Sequence, residues 1–139
     1  MRIMIKPKVG VVSCSGECCS LGTLSRIATR RVLEDLKAGE TVTICLPLFL
    51  AGDSEERMFA QQFPTVAVDG CHKLCATKAI EKFSGKTAAT VDVERMLEEH
   101  GWDPPASRRL LTPEDMAIVA EVAGVIVGKV DEIKEAQDA

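Results

Sequence analysis

Val9-Gly10-Val11-Val12-Ser13-Cys14 is the stretch that decides the fold. Its apolar residues run almost without a break. That is the pattern of a strand covered on both faces, and such strands belong to parallel sheets wrapped by helices. Two other runs share its form and its ending. Val42-Thr43-Ile44 closes on Cys45, and Thr65-Val66-Ala67-Val68-Asp69-Gly70 is followed by Cys71. Between the first two runs, Leu24, Ile27, Ala28, Val32 and Leu36 recur at helical spacing, so a helix ending near Lys37 joins them, with Gly39 where a C-terminal cap belongs.

Working outward, Thr41 to Leu46 reads as the second strand, which Pro47 cannot continue. Leu46 to Leu50 reads as an apolar loop closed by Ala51-Gly52. Ser54 then caps a short helix, Glu55 to Gln62, that buries Met58 and Phe59. Thr65 to Asp69 is the third strand, and His72 to Phe83 a helix with Leu74, Ala79, Ile80 and Phe83 facing inward. Ala88 to Asp92 is the fourth strand, followed by a helix to His100 that Gly101 stops. Asp103-Pro104-Pro105 is a rigid connector. Thr112-Pro113-Glu114-Asp115 opens a last helix, about 113–136, with a hydroxyl cap, proline in the first turn and acids at the positive dipole end. Met116, Val119, Ala123, Ile126, Val130 and Ile133 form its inner stripe. The alternation implies right-handed crossovers. The expectation is one flavodoxin-like (Rossmann-like) α/β domain over residues 1–139, with a four-stranded parallel sheet in the order 2-1-3-4.

Composition narrows the functions. With 139 residues, 46% apolar and 27% charged, the chain is an ordinary globular one. A net charge of −4 opposes a grip on nucleic-acid phosphates. One tryptophan, four phenylalanines and no tyrosine leave few platforms for stacking bases. Met1 to Lys8 has no apolar core of secretion-signal length, and the apolar stretch around Val122 to Val127 is too short to span a bilayer. The expected location is the cytoplasm, without nucleic acid or membrane as partner, where six cysteines are not read as three disulfides.

The order 2-1-3-4 makes the ends carrying Cys45, Cys14 and Cys71 neighbours, roughly 4.8 Å from strand to strand. Cys75 enters from the helix that follows. Converging thiols in a reduced cell suggest a soft metal ion. The start of a helix lowers thiol pKa, and the four-residue spacing of Cys71 and Cys75 suits one helical face. Four sulfurs make a closed tetrahedral zinc site, while three leave an open position. Another soft ion or an iron–sulfur cluster would use the same donors. Taken alone, Cys14 or Cys45 reads more plainly as a small buried hydrophobe, but four thiols at one edge favour a site. Cys18, Cys19 and His72 are weaker candidates as ligands. Cys14 or Cys71 as a reactive thiol, in a redox enzyme or a sulfur or metal carrier, is the alternative.

Four motifs carry a resemblance: Ser13-Cys14-Ser15-Gly16, Gly22-Thr23-Leu24-Ser25-Arg26, Thr43-Ile44-Cys45-Leu46-Pro47-Leu48-Phe49-Leu50-Ala51-Gly52 and Val68-Asp69-Gly70-Cys71. Together they resemble the DGC-domain family over about residues 9–93. That family takes its name from the Asp-Gly-Cys triplet, here Asp69-Gly70-Cys71. The resemblance implies zinc held by four chelating cysteines, which fall on Cys14, Cys45, Cys71 and Cys75, and it implies no cellular role. Some relatives read Cys-Ser-Gly-Cys in the first motif; here Glu17 separates Gly16 from Cys18.

Other residues have two readings each. Asp69 either supports the site by accepting N–H bonds or makes an Asx turn. Gly70 permits a close or left-handed backbone. Gly16 and Gly22 flank a loop that could cradle an anion, though the spacing fits no phosphate-binding fingerprint. His100 suits the C-terminal end of its helix. The Leu46 to Leu50 run lines a pocket, packs under the domain's own helices, or meets a protein partner or a second copy. No Ser/His/Asp set and no pair of carboxylates stands out.

Overall fold

The computed structural model describes residues 8–14, 16 and 18–138. The N-terminal stretch read for a secretion signal lies outside the described residues except for Lys8, as do Ser15 and Glu17 of the first cysteine loop. The elements in chain order are β1 (Val9–Ser13), α1 (Ser20–Arg31), β2 (Thr41–Val42), α2 (Leu46–Ala51), α3 (Ser54–Arg57), α4 (Phe59–Gln62), β3 (Thr65–Asp69), α5 (Cys75–Phe83), β4 (Ala89–Asp92), α6 (Val93–His100) and α7 (Pro113–Asp138). The four strands form one parallel sheet in the order β2-β1-β3-β4, as the run pattern predicts.

β1 and β3 are the central pair, in register Gly10↔Thr65 through Ser13↔Val68. Alternate side chains divide between two cores. Val9, Val11, Val66, Val68 and Val91 pack under Leu24 and Ala28 of α1, Met96 and Leu97 of α6, and Val119, Val122 and Ile126 of α7. On the other face Val12, Cys14 and Ala67 meet Leu46 and Phe49 of α2, Phe59 of α4 and Ile80 of α5. Both faces of the sheet are therefore covered, which is why its strands read as continuous apolar runs. Among the described residues no helix is long and apolar enough to cross a membrane.

Several expectations fail at element boundaries. β2 stops at Val42, and the apolar stretch taken for a loop is the helix α2. Proline is tolerated in a first helical turn, and Leu46 and Phe49, three apart, bury one face of that helix. Asp53, not Ser54, caps α3, its carboxylate accepting from Glu56 N at 3.0 Å. Met58 joins α3 to α4 and is exposed. α1 runs on through a wider π-turn, Val32–Leu36, closed by Lys37 N donating to Val32 O at 2.8 Å, and Leu36 is exposed there. The third long helix begins at Cys75, three residues later than expected, because Leu74 adopts φ 53°. In α7, Met116 is exposed and Val122 is buried. Its start is as expected: Thr112 Oγ1 accepts from Asp115 N, and Asp115 Oδ2 accepts from Thr112 N.

Candidate metal centre

The site is built where the parallel strands end. Cys14 N donates to Val68 O at 2.9 Å, so the β1–β3 ladder continues one residue past β1 and fixes Cys14 at the carboxyl edge. Its sulfur is buried. Gly70 N donates to Cys14 Sγ at 3.3 Å, and Ser25 Oγ lies 3.4 Å from the same sulfur. Ser25 gives its own hydrogen to Gly22 O at 2.8 Å, which leaves the Cys14 thiol as donor to Ser25.

Gly70 has to be glycine for room rather than for a left-handed backbone. A Cβ there would lie 2.7 Å from the Leu21 carbonyl and from Gly22 N. Gly22 in turn faces Gly16, whose carbonyl oxygen would stand 2.2 Å from a Cβ at position 22. The anion-cradle reading of Gly16 and Gly22 thus gives way to packing of three backbone segments: the cysteine loop, the first turn of α1 and the turn after β3.

Asp69 is buried and makes no Asx turn. Its Oδ1 accepts from Ala76 N at 2.7 Å, and its Oδ2 accepts from Thr77 N at 3.2 Å and Thr77 Oγ1 at 2.7 Å. These are free donors of the first turn of α5, and Leu74 at the capping position has no acceptor to offer them. The strand-end carboxylate therefore caps the helix that carries Cys75 and positions it relative to Cys71.

Cys71 is half-buried in the turn before α5, and Cys75 is the first residue of α5. The expectation that the two share a helical face fails, because Cys71 lies outside the helix. The expected dipole effect fails for Cys75 as well. Local burial of its thiol, and then the neighbouring Cys71 and Cys14, push its pKa above the ordinary thiol value, although the residue as a whole is exposed.

Cys14, Cys71 and Cys75 line one cavity of about 700 Å³ together with Cys18, Cys19, Leu21, Leu46 and Leu50. Lys73 and Glu94 line it too. Cys18 is exposed, and Cys19 is half-buried at the capping position of α1. Cys45 is exposed at the capping position of α2, its N–H donating to Glu56 Oε2 at 3.1 Å. It is not part of the cavity wall, but its neighbour Leu46 is. The structure thus brings Cys14, Cys71 and Cys75 to one cavity together with Cys18 and Cys19, and leaves Cys45 out of its lining. Among the described residues no trio of cysteine sulfurs lies mutually within 4.8 Å; His72, Glu94 and Glu98 are the donors that do. The donor chemistry nonetheless fits a thiophilic ion: several thiols line one cavity, and one of them already accepts an amide N–H.

His72 turns toward α6. Its Nδ1 lies 2.9 Å from Asp92 Oδ2, and its Nε2 lies 3.1 Å from both Glu94 Oε1 and Glu98 Oε1. Asp92, then Glu98, hold its pKa above the ordinary histidine value. This carboxylate set was missed from sequence. The available signal was Glu94 and Glu98 four apart after a strand-end aspartate, which the β3–β4 register sets level with Asp69. His100 Nδ1 donates to Met96 O at 2.8 Å in the last turn of α6, and its ring stacks on Trp102.

A family model for the DGC domain matches residues 10–108. No curated protein and no solved structure matches the chain. The matched segment covers the sheet but for Val9, and both cores' helices except α7, and it reaches Arg108, whose carbonyl accepts from Thr23 Oγ1 of α1. It also holds all six cysteines and the Asp69-Gly70-Cys71 triplet around which the cavity is built, and the chain belongs to the DGC domain family.

Proposed function

We propose that this chain binds a thiophilic metal ion, zinc foremost, through Cys14, Cys71 and Cys75, with Cys45 as fourth ligand. The observation that carries this reading is that Cys14, Cys71 and Cys75 line one cavity at the carboxyl edge of the sheet. Burial of the Cys75 thiol, and then its neighbours Cys71 and Cys14, disfavour its thiolate, and a bound cation offsets that penalty. Zinc–sulfur bonds of about 2.3 Å require the sulfurs to draw closer on binding. The turn from Cys71 to Leu74 and the short α2 behind Cys45 are the elements that would move. Cys18 and Cys19, already at the cavity, are the other sources of a fourth sulfur.

The alternative is a reactive thiol, and the cavity narrows it. Cys14 is buried with its hydrogen bonds in place, and Cys75 is held as a thiol, so Cys71 is the sulfur left for such chemistry. Elemental analysis of anaerobically purified protein separates the two readings. About one zinc per chain is expected, since a closed four-ligand site holds one ion. Serine at position 14, 45, 71 or 75 should empty the site, and serine at 18 or 19 should not. Metal-free protein whose Cys71 alkylates rapidly without chelator would favour the reactive thiol. Zinc lost from Cys18→Ser but kept in Cys45→Ser would reassign the fourth ligand.

A further inference from the structure

We infer that His72, Glu94 and Glu98 form a second metal site, for a divalent first-row transition ion bound through nitrogen and oxygen, on the outer side of the thiol cavity. It does not rest on metal binding by the cysteines. Three features of the geometry carry it.

The first is the arrangement around one ring nitrogen. Glu94 Oε1 and Glu98 Oε1 both lie 3.1 Å from His72 Nε2. Nε2 can carry one hydrogen, and one hydrogen does not serve two carboxylates well. A cation on the Nε2 lone pair serves both. Ligands about 2.1 Å from a shared ion and at right angles are roughly 3.0 Å apart, close to the spacing found.

The second is the other ring nitrogen. Nδ1 faces Asp92 Oδ2 at 2.9 Å, an acceptor for a hydrogen on Nδ1, so that an ion at Nε2 replaces only the hydrogen shared there with the two glutamates. Carboxylate–histidine–metal relays have this form. Asp92 is held in place, because its Oδ1 caps α6 by accepting from Arg95 N at 3.1 Å.

The third is location. Glu94 N donates to Gly70 O at 3.1 Å, which ties the first turn of α6 to the residue beside Cys71. Glu94 also lines the cavity that holds the thiols. Imidazole with two carboxylates suits zinc, iron, cobalt or manganese, and as three ligands it leaves positions for water or exchange. An ion there would share Glu94 with the lining of a sulfur-lined cavity.

The test uses the full chain, stripped of metal under reducing conditions and then equilibrated with Zn²⁺ or Co²⁺. Zinc is counted by elemental analysis, and cobalt spectra separate thiolate ligation, with its intense near-ultraviolet charge-transfer band, from nitrogen and oxygen ligation, which lacks it. One equivalent bound without thiolate, beyond any that gives the thiolate band, is expected. Glu98→Gln, at an exposed position, should weaken that equivalent at least tenfold and leave any thiolate band unchanged, whereas Glu99→Gln, whose side chain pairs with Arg95, should change neither. Asp92→Asn keeps an oxygen for the cap but turns an amide N–H toward Nδ1. It should weaken the second ion about 10–100-fold, as loss of a supporting carboxylate does. A second equivalent that persists undiminished in Glu98→Gln and His72→Asn, or wild-type protein with no ion outside the thiolates, overturns the assignment. A thiolate band that is absent while the nitrogen–oxygen equivalent is present and lost in Glu98→Gln would remove the cysteine reading and leave this one standing.

Discussion

Asp69 is a carboxylate that serves a helix it does not belong to. Because its two oxygens take three donors from Ala76 and Thr77, Asp69→Ala leaves the first turn of α5 uncapped in a buried setting. A loss of about 2 kcal/mol is expected, at the upper end for caps, read as a lower urea midpoint. A midpoint within error of wild type would mean that water reaches those donors. Gly70→Ala acts by another route: its methyl meets backbone atoms at 2.7 Å that cannot swing aside as a side chain would. The expected loss is about 1–3 kcal/mol, as for other overpacked sites. The triplet could be picked out in the sequence, but its tasks could not. They depend on Leu21 and Gly22, nearly fifty residues earlier, and on a cap made across a break in the helix. The surroundings of His72 were hidden for the same reason. Its neighbour in sequence is Cys71, whereas its partners in space are Asp92, Glu94 and Glu98.

At the scale of elements, β1 and β3 were legible because both faces of a central strand are covered and the apolar run records it. β2 was less so. It is an edge strand two residues long, and an apolar run of a few residues reads equally as strand, loop or helix. The first turn that follows it, with Pro47 near its start, became α2 instead. A polar tie fastens the same edge from below: Lys134 and Lys37 hold Glu40, and Lys37 also reaches Asp131 at 2.8 Å, joining the turn before β2 to α7. Lys134 is the main cause that holds the Glu40 pKa below the ordinary carboxylate value. A folded pKa below the unfolded one contributes stability above about 4.5, and that contribution is lost as pH falls through the folded value. The melting temperature of Glu40→Gln should therefore lie below wild type at neutral pH, and the gap should close in acid below the ordinary carboxylate range. A gap that stays constant from pH 7 to pH 3 would place the effect elsewhere than in this charge.

For the whole molecule, the two cores hold the sheet while the cysteines collect at one edge, so an ion bound there, as proposed, would be coupled to the fold through the strand ends. Cys75 makes the coupling depend on pH in opposite senses with and without metal. In the metal-free chain its folded pKa lies above the ordinary value, so its contribution is complete below about pH 9 and is lost as pH rises through the folded value. In the loaded chain the ligands are thiolates at neutral pH, and protons compete for them as pH falls. An ion held at 100 times its Kd stabilises the fold by about 2.7 kcal/mol. In a chain of this size that is roughly 8–12 °C in melting temperature. Chelator should thus lower the melting temperature at pH 7, lower it further at pH 8.5, and leave it nearly unchanged at pH 5, where acid has already released the ion. Cys71→Ser, which removes a ligand from the turn before α5 and leaves both cores untouched, should melt like the chelated protein at every pH. If chelator shifts the melting of Cys71→Ser as far as that of wild type, the stabilising ion is bound away from the thiol cavity, and the residues around His72 become the place to look for it.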